Sequence, residues 1–138
     1  MMNAKVRQTI LLVDDNRAFC ESLRDVFALF GHTVSCVFDG RQAVQKVSRT
    51  PPHVVLMDIR MPVMDGITAM KEIKRLAPET RVFLMTAYST PDIIDHAKRE
   101  GAELILPKPI NYEDFLRAIQ PPEKVLSNRG RDAVLSSR

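Results

Sequence analysis

Apolar residues fall along this chain in two textures. Thr9 to Val13, Val54 to Met57 and Val82 to Met85 are near-continuous apolar runs without polar alternation, as in strands buried on both faces. Between them, apolar residues recur every three or four positions, which predicts helices with one inward face. Asn16 is placed to cap a first helix carrying Phe19, Leu23, Val26, Phe27 and Phe30, with Gly31 as its stop. Thr33 to Phe38 reads as a second strand, and Asp39-Gly40 leads into a helix facing inward through Ala43, Val44 and Val47 until Pro51-Pro52. The strand through Asp58 precedes a helix capped by Asp65, with Ile67, Met70, Ile73 and Leu76 on or near one face and Pro78 barring its extension. Ser89 or Thr90 caps a fourth helix, with Pro91 in its first turn and Ile93, Ile94 and Ala97 following until Gly101. Leu104 to Leu106 is a short fifth strand, and Asn111 opens a last helix through Tyr112, Phe115, Leu116 and Ile119, halted at Pro121-Pro122. Five strands alternating with five helices predict a doubly wound parallel sheet, a three-layer α/β/α fold of (βα)5 type.

A length of 138 residues suits one domain, and 45% hydrophobic with 27% charged residues is ordinary globular composition. Residues 1–8 read as an N-terminal extension, 9–120 as the folded domain, and 121–138 as a tail or the start of a linker, poor in apolar surface. No run approaches membrane-spanning length and no secretory pattern opens the chain, so a cytoplasmic location is expected and no membrane contact. The formal charge is +3, but Lys124, Arg129, Arg131 and Arg138 against Glu123 and Asp132 place most of that excess in the tail. The remaining basic residues are dispersed, without aromatic interleaving, which argues against direct nucleic-acid binding. Cys20 and Cys36 lie within apolar patterns without metal-ligand spacing and read as buried thiols. His32, His53 and His96 share no spacing and read as surface or strand-edge residues. Met57, Met61, Met64, Met70 and Met85 fit core and turn packing.

Chemistry gathers where the strands end. In an open parallel sheet, ligands bind beyond the carboxyl ends of the strands. Asp14, Asp15, Asp58, Thr86 and Lys108 all fall there. Two carboxylates about 4 Å apart repel by roughly 4 kcal/mol at an effective dielectric of 20, so three converging ones call for a cation. A hard divalent ion with oxygen ligands, Mg²⁺ above others, answers that need, and Lys108 supplies a further positive charge. A carboxylate flanked by an ammonium and a hydroxyl can accept a phosphoryl group, and Asp58 is the natural nucleophile.

Val-Asp14-Asp15-Asn, Met-Asp58-Ile-Arg-Met-Pro62-Val-Met-Asp65-Gly66, Met-Thr86-Ala87-Tyr88 and Leu-Pro-Lys108-Pro109, in that order, resemble the receiver domain of two-component response regulators over about Thr9 to Ile119. The resemblance implies the flavodoxin-like strand order 2-1-3-4-5 and a phosphoacceptor role for Asp58, with a sensor histidine kinase or phosphotransfer protein as partner. It implies Asp15 and Asp58 as side-chain ligands of Mg²⁺, Asp14 acting through water, and the Arg60 carbonyl completing the set. Lys108 is implied to pair with the phosphoryl oxygens, with a cis bond to Pro109. Thr86 is the implied switch hydroxyl, and the small Ala87 leaves the pocket open. By the same resemblance the fourth helix, fifth strand and fifth helix form the output face, a surface for homodimerisation, with Ile94, Ile105 and Tyr112 as expected exposed contacts. Ile105 stands where the family often has Tyr or Phe, a departure that removes the rotating-aromatic half of the switch. Arg60 and Tyr88 are expected to edge the pocket and set water access.

Such a chain is a regulatory phosphoacceptor rather than an enzyme acting on other substrates. The alternative is the N-terminal part of a larger regulator with a DNA-binding or enzymatic domain beyond Arg138. A Mg²⁺-dependent phosphatase is a weaker reading, because Arg60 occupies the place of a second acid two residues after Asp58.

Overall fold

The computed structural model describes residues 6–121. Its elements are β1 (Thr9–Val13), α1 (Arg17–Leu29), β2 (Thr33–Val37), α2 (Gly40–Arg49), β3 (Val54–Asp58), α3 (Gly66–Leu76), β4 (Arg81–Thr86), α4 (Pro91–Arg99), β5 (Leu104–Pro107) and α5 (Tyr112–Ile119). All neighbouring strands pair in parallel, in the order β2-β1-β3-β4-β5. The (βα)5 expectation and the strand order both hold.

Side chains alternate across the strands, so each continuous apolar run serves two cores. Leu11, Val13, Val55, Met57, Val82 and Leu84 pack with α2, α3 and α4 on one face. Ile10, Leu12, Val54, Leu56, Phe83 and Met85 meet α1 and α5 on the other. There Phe115 lies 5.1 Å from Phe27 and 5.4 Å from Phe83, ring centre to ring centre, the second contact edge-on. Such pairs add about 0.5–1.5 kcal/mol each beyond area burial.

The predicted caps Asn16 and Asp65 hold, and Asp39 and Asn111, read as helix starts, cap as well. Asn16, Asp39, Asp65, Thr90 and Asn111 each accept a first-turn amide, and Thr90, not Ser89, caps α4. Gly31 and Gly101 leave α1 and α4 at positive φ, +95° and +115°, which glycine reaches without steric cost. The tail from residue 122 onward and residues 1–5 lie outside the described residues. Gln8, counted with the extension, is buried and donates through Nε2 to the Ile119 carbonyl at 2.7 Å.

Several inward assignments change. Phe30 and Leu76 are exposed, because α1 stops at Leu29 and the last turn of α3 buries Ala77 instead. Tyr112 is exposed as expected, and Ile94 and Ile105 are both half-buried, Ile105 packed against the α2–α4 core. Cys36 is only half-buried because β2 is an edge strand. His32 is buried, not superficial: its Nδ1 accepts the Gln8 amide at 3.1 Å. His53 is exposed, and its Nδ1 accepts the Thr9 amide at 2.9 Å. Among the described residues, no helix is long and apolar enough to cross a membrane.

Candidate functional site

Because all five strands are parallel, their carboxyl ends open on one edge of the sheet, and the polar residues that interrupt each apolar run arrive there together. Asp14 follows β1, Asp58 ends β3, Thr86 ends β4 and Lys108 follows β5. Asp14, Asp15 and Asp58 each bring a carboxylate oxygen within 4.8 Å of the others. Lys108 Nζ reaches across to Asp14 Oδ2 at 2.6 Å and Asp58 Oδ2 at 3.1 Å. The Lys108–Pro109 peptide is cis, as expected.

The three acids differ in surroundings. Asp14 is 1% exposed, and its Oδ1 accepts the Asn16 amide at 2.9 Å. Asp58 is buried as well, and its Oδ1 accepts the Arg60 amide at 3.3 Å. Asp15 is exposed and borders an open pocket of about 500 Å³ with Ile59, Arg60, Met61, Pro62 and Asp65. Burial, reinforced by the Asp14 charge, pushes the Asp58 carboxyl above the ordinary carboxylate range against the opposing pull of Lys108. For Lys108 the balance runs the other way. Burial works against its charge, but hydrogen bonds and attraction from Asp14 and Asp58 outweigh that and hold the ammonium above its usual value.

Thr86 is buried, and its Oγ1 accepts the Tyr88 amide at 2.9 Å. Ala87 is exposed. The Arg60 guanidinium stacks over the Tyr88 ring at 4.6 Å, so the two predicted pocket-edge residues meet each other. Asp65 is committed to capping, accepting from both the amide and the hydroxyl of Thr68 at 2.9 and 3.0 Å.

Some features escaped the sequence. Gly66 donates its amide to the Ile59 carbonyl at 2.7 Å, and a Cβ there would strike the Asp58 carbonyl oxygen and come within 2.9 Å of Ile59 Cα. Gly40 plays the same part for Met64, whose carbonyl oxygen a Cβ would meet. Val63, at φ +72°, holds a left-handed conformation that β-branched residues rarely adopt. Aromatic rings also back the cations: Phe19 lies 4.9 Å from Lys108 Nζ and Phe38 lies 3.9 Å from the Arg17 guanidinium. A larger groove of about 780 Å³ lies at the opposite pole. There the Arg81 guanidinium is engaged with Glu103 and the Ile119 carbonyl.

The arrangement is a carboxylate nucleophile candidate, a bridging ammonium and an oxygen-rich cluster suited to a hard cation. Comparison with known proteins points the same way. The chain is 37% identical over 111 residues to the transcriptional regulatory protein ZraR of Escherichia coli K12, covering 80% of this chain and 25% of that protein. It thus spans about a quarter of the length of that relative. It is 34% identical over 128 residues to sporulation initiation phosphotransferase F of Bacillus subtilis strain 168, covering 93% of this chain and 100% of that one. The fold matches the receiver domain of the sensor histidine kinase PA1611 from Pseudomonas aeruginosa PAO1, solved with a magnesium ion in its active site cleft, at a TM-score of 0.74. That match has 29% identity over 83% of this chain and 95% of that one. A family model for the response regulator receiver domain covers residues 10–120, and with Asp14, Asp15, Asp58 and Lys108 meeting at one acidic pocket, the chain belongs to that family.

Proposed function

We propose that the chain is a phosphorylation-driven switch with Asp58 as its acceptor. The observation that carries the reading is the Lys108 ammonium, which reaches from the end of β5 to two carboxylates of β1 and β3. Phosphoryl transfer asks little covalent chemistry of a protein and much positioning, and a fixed carboxylate beside a fixed cation supplies that. An Asp58 oxygen forms a bond to phosphorus as the bond from phosphorus to the donor's imidazole nitrogen breaks, and the imidazole keeps or gains a proton from solvent. Lys108 then pairs with the phosphoryl oxygens as charge develops on them. The donor is a phosphohistidine of a sensor histidine kinase or phosphotransfer protein.

The donor set fits Mg²⁺: three carboxylates, with neither sulfur nor imidazole, and one ammonium to offset them. Asp14, Asp15 and Asp58 would hold the ion together with the Arg60 carbonyl, Asp14 through water. Bound there, the ion neutralises the carboxylates and the incoming phosphoryl oxygens.

Thr86 is assigned as the switch hydroxyl. Its Oγ1 already holds the Tyr88 amide, so reorienting Thr86 toward a phosphoryl group draws the loop after β4 with it. The family aromatic is replaced by Ile105, and coupling runs instead through that loop and repacking around Ile105. Amide NMR showing no shifts from Thr86 to Pro109 on phosphorylation would refute this coupling. Taking the population from 1:99 to 99:1 needs about 5.5 kcal/mol of differential stabilisation. Arg60 and Tyr88 regulate water at the pocket, with Ala87 leaving space for the phosphoryl group. An unaltered dephosphorylation rate after changing Arg60 and Tyr88 to Ala would remove that role.

Two settings for the switch have support. Alignment along the whole of the Bacillus phosphotransferase favours a component of phosphoryl transfer between proteins in the cytoplasm, with α4, β5 and α5 as output or homodimer face. Alignment with a quarter of ZraR favours the regulatory part of a longer regulator. The deciding experiment treats the protein and its Asp58→Asn variant with acetyl phosphate or beryllofluoride plus Mg²⁺, and follows mass and oligomeric state. Wild type is expected to gain the group and the variant to lack it. A modified variant beside an unmodified wild type would overturn the assignment.

A further inference from the structure

We infer that Arg17 and Arg60 form a cationic rim that gathers doubly charged phosphoryl donors over the acidic pocket, so that Arg17, a residue outside the machinery above, sets donor preference. The inference rests on Asp58 being the acceptor.

Three clustered carboxylates repel the dianion they are meant to receive, and Lys108 with a bound divalent ion brings that charge only to balance, without net attraction. The cations that answer this repulsion are each backed by an aromatic ring: Lys108 by Phe19, Arg17 by Phe38 and Arg60 by Tyr88. Arg17 opens α1 two residues after Asp15 and turns its guanidinium onto Phe38, just past β2, and Arg60 lines the pocket that Asp15 borders. Stacking on a ring face leaves a guanidinium charged while restricting where it can sit. Asp65 borders the same pocket, but its carboxylate is hydrogen-bonded to Thr68. Asp39, near Phe38, is likewise bound to the Gln42 amide.

Arg17 is out of place by local rules. It is the first residue of α1, where the helix dipole favours an acid and disfavours a cation, and the first turn of α1 holds no acid. A residue that breaks a local preference beside a site is a candidate for function there. Fixed charges of one sign around a cleft raise association rates of oppositely charged ligands by roughly 10- to 1000-fold, an effect that falls steeply with ionic strength.

The test measures the observed rate of Asp58 phosphorylation against donor concentration, with saturating Mg²⁺, at several ionic strengths. The slope reports encounter and transfer, and the intercept reports loss of the group. Donors are acetyl phosphate, a dianion at neutral pH, and phosphoramidate, which carries less negative charge there. In the double variant Arg17→Gln/Arg60→Gln, the acetyl phosphate slope is expected to fall on the order of 10-fold at low salt. It should converge on wild type at high salt and fall less for phosphoramidate. Arg17→Gln alone gives part of that loss, and Arg17→Lys restores it. An unchanged slope, or an equal loss for both donors at every salt concentration, overturns the rim. If neither donor modifies Asp58 in wild type, the acceptor assignment itself fails first, which separates the two failures.

Discussion

Replacing Lys108 with Met removes one charge and keeps most of the side chain's length, which isolates what the ammonium does. Its side chain is 22% exposed, and it contacts an Asp14 side chain that is 1% exposed and an Asp58 side chain that is 11% exposed. Without it, two carboxylates remain buried side by side, Asp14 held by the Asn16 amide and Asp58 by that of Arg60. Removing one partner of a buried ion pair costs about 3–5 kcal/mol. The partial exposure of Lys108 places this case near 3 kcal/mol, a large share of a typical total of about 5–15 kcal/mol. Asp58→Asn added to Lys108→Met removes one of the two stranded charges and should recover part of the loss. A cation that binds only the folded state stabilises it by RT ln(1 + [L]/Kd). With the competing ammonium gone, Mg²⁺ should stabilise Lys108→Met more than wild type. Urea unfolding followed by circular dichroism, in EDTA and in excess Mg²⁺, gives all of these differences. The reasoning fails if Lys108→Met lies within about 0.5 kcal/mol of wild type in EDTA, the range of an ordinary surface change. It also fails if Mg²⁺ raises both proteins equally.

Val63→Gly should stabilise the fold by about 0.5–1 kcal/mol, because relief of a left-handed β-branched residue outweighs the added freedom of the unfolded glycine; a lower melting temperature would contradict this. Val63 is 71% exposed, so little packing is lost. Arg81 holds Glu103 below its ordinary value, chiefly through their hydrogen bond, so this pair contributes stability above the normal carboxylate range and loses it as pH falls through the lowered value. The difference between wild type and Glu103→Gln, about 0.2–1 kcal/mol at this partly exposed pair, should therefore vanish in acid; a difference independent of pH would refute the linkage. Burial, with the nearby Cys36, pushes the Cys20 thiol up to about 12. A thiol reagent in mildly alkaline buffer should therefore label the half-buried Cys36 first and Cys20 only on unfolding, and equal labelling rates in the folded protein would exclude that ordering.

What was legible in the sequence, and what was not, divides along a physical line. Strand and helix positions follow from local periodicity, and caps follow from one side chain reaching one amide, so Asn16 and Asp65 could be read directly as caps, and Asp39 and Asn111 as helix starts. The acidic pocket was legible because each of its residues marks the point where an apolar run ends, and parallel strands bring such points to one edge. Burial at element ends was less legible. Phe30 and Leu76 keep the helical period, yet they lie where the chain turns away from the sheet. Least legible were contacts between residues remote in sequence that carry no pattern of their own. Arg81 reads as an ordinary strand-start arginine, but it donates to the Ala118 and Ile119 carbonyls and fastens the end of α5.

Gly66 joins these two kinds of information. Beside Asp65 it reads as part of a helix start, which would tolerate alanine with little loss. The space around it says otherwise, because any Cβ must displace the Asp58 backbone that aims its carboxylate at Lys108. A substitution there therefore acts on the site through the end of β3. Its first effect should be on the spacing of Asp58 from Asp14 and Lys108, ahead of any effect on the helix that Gly66 begins.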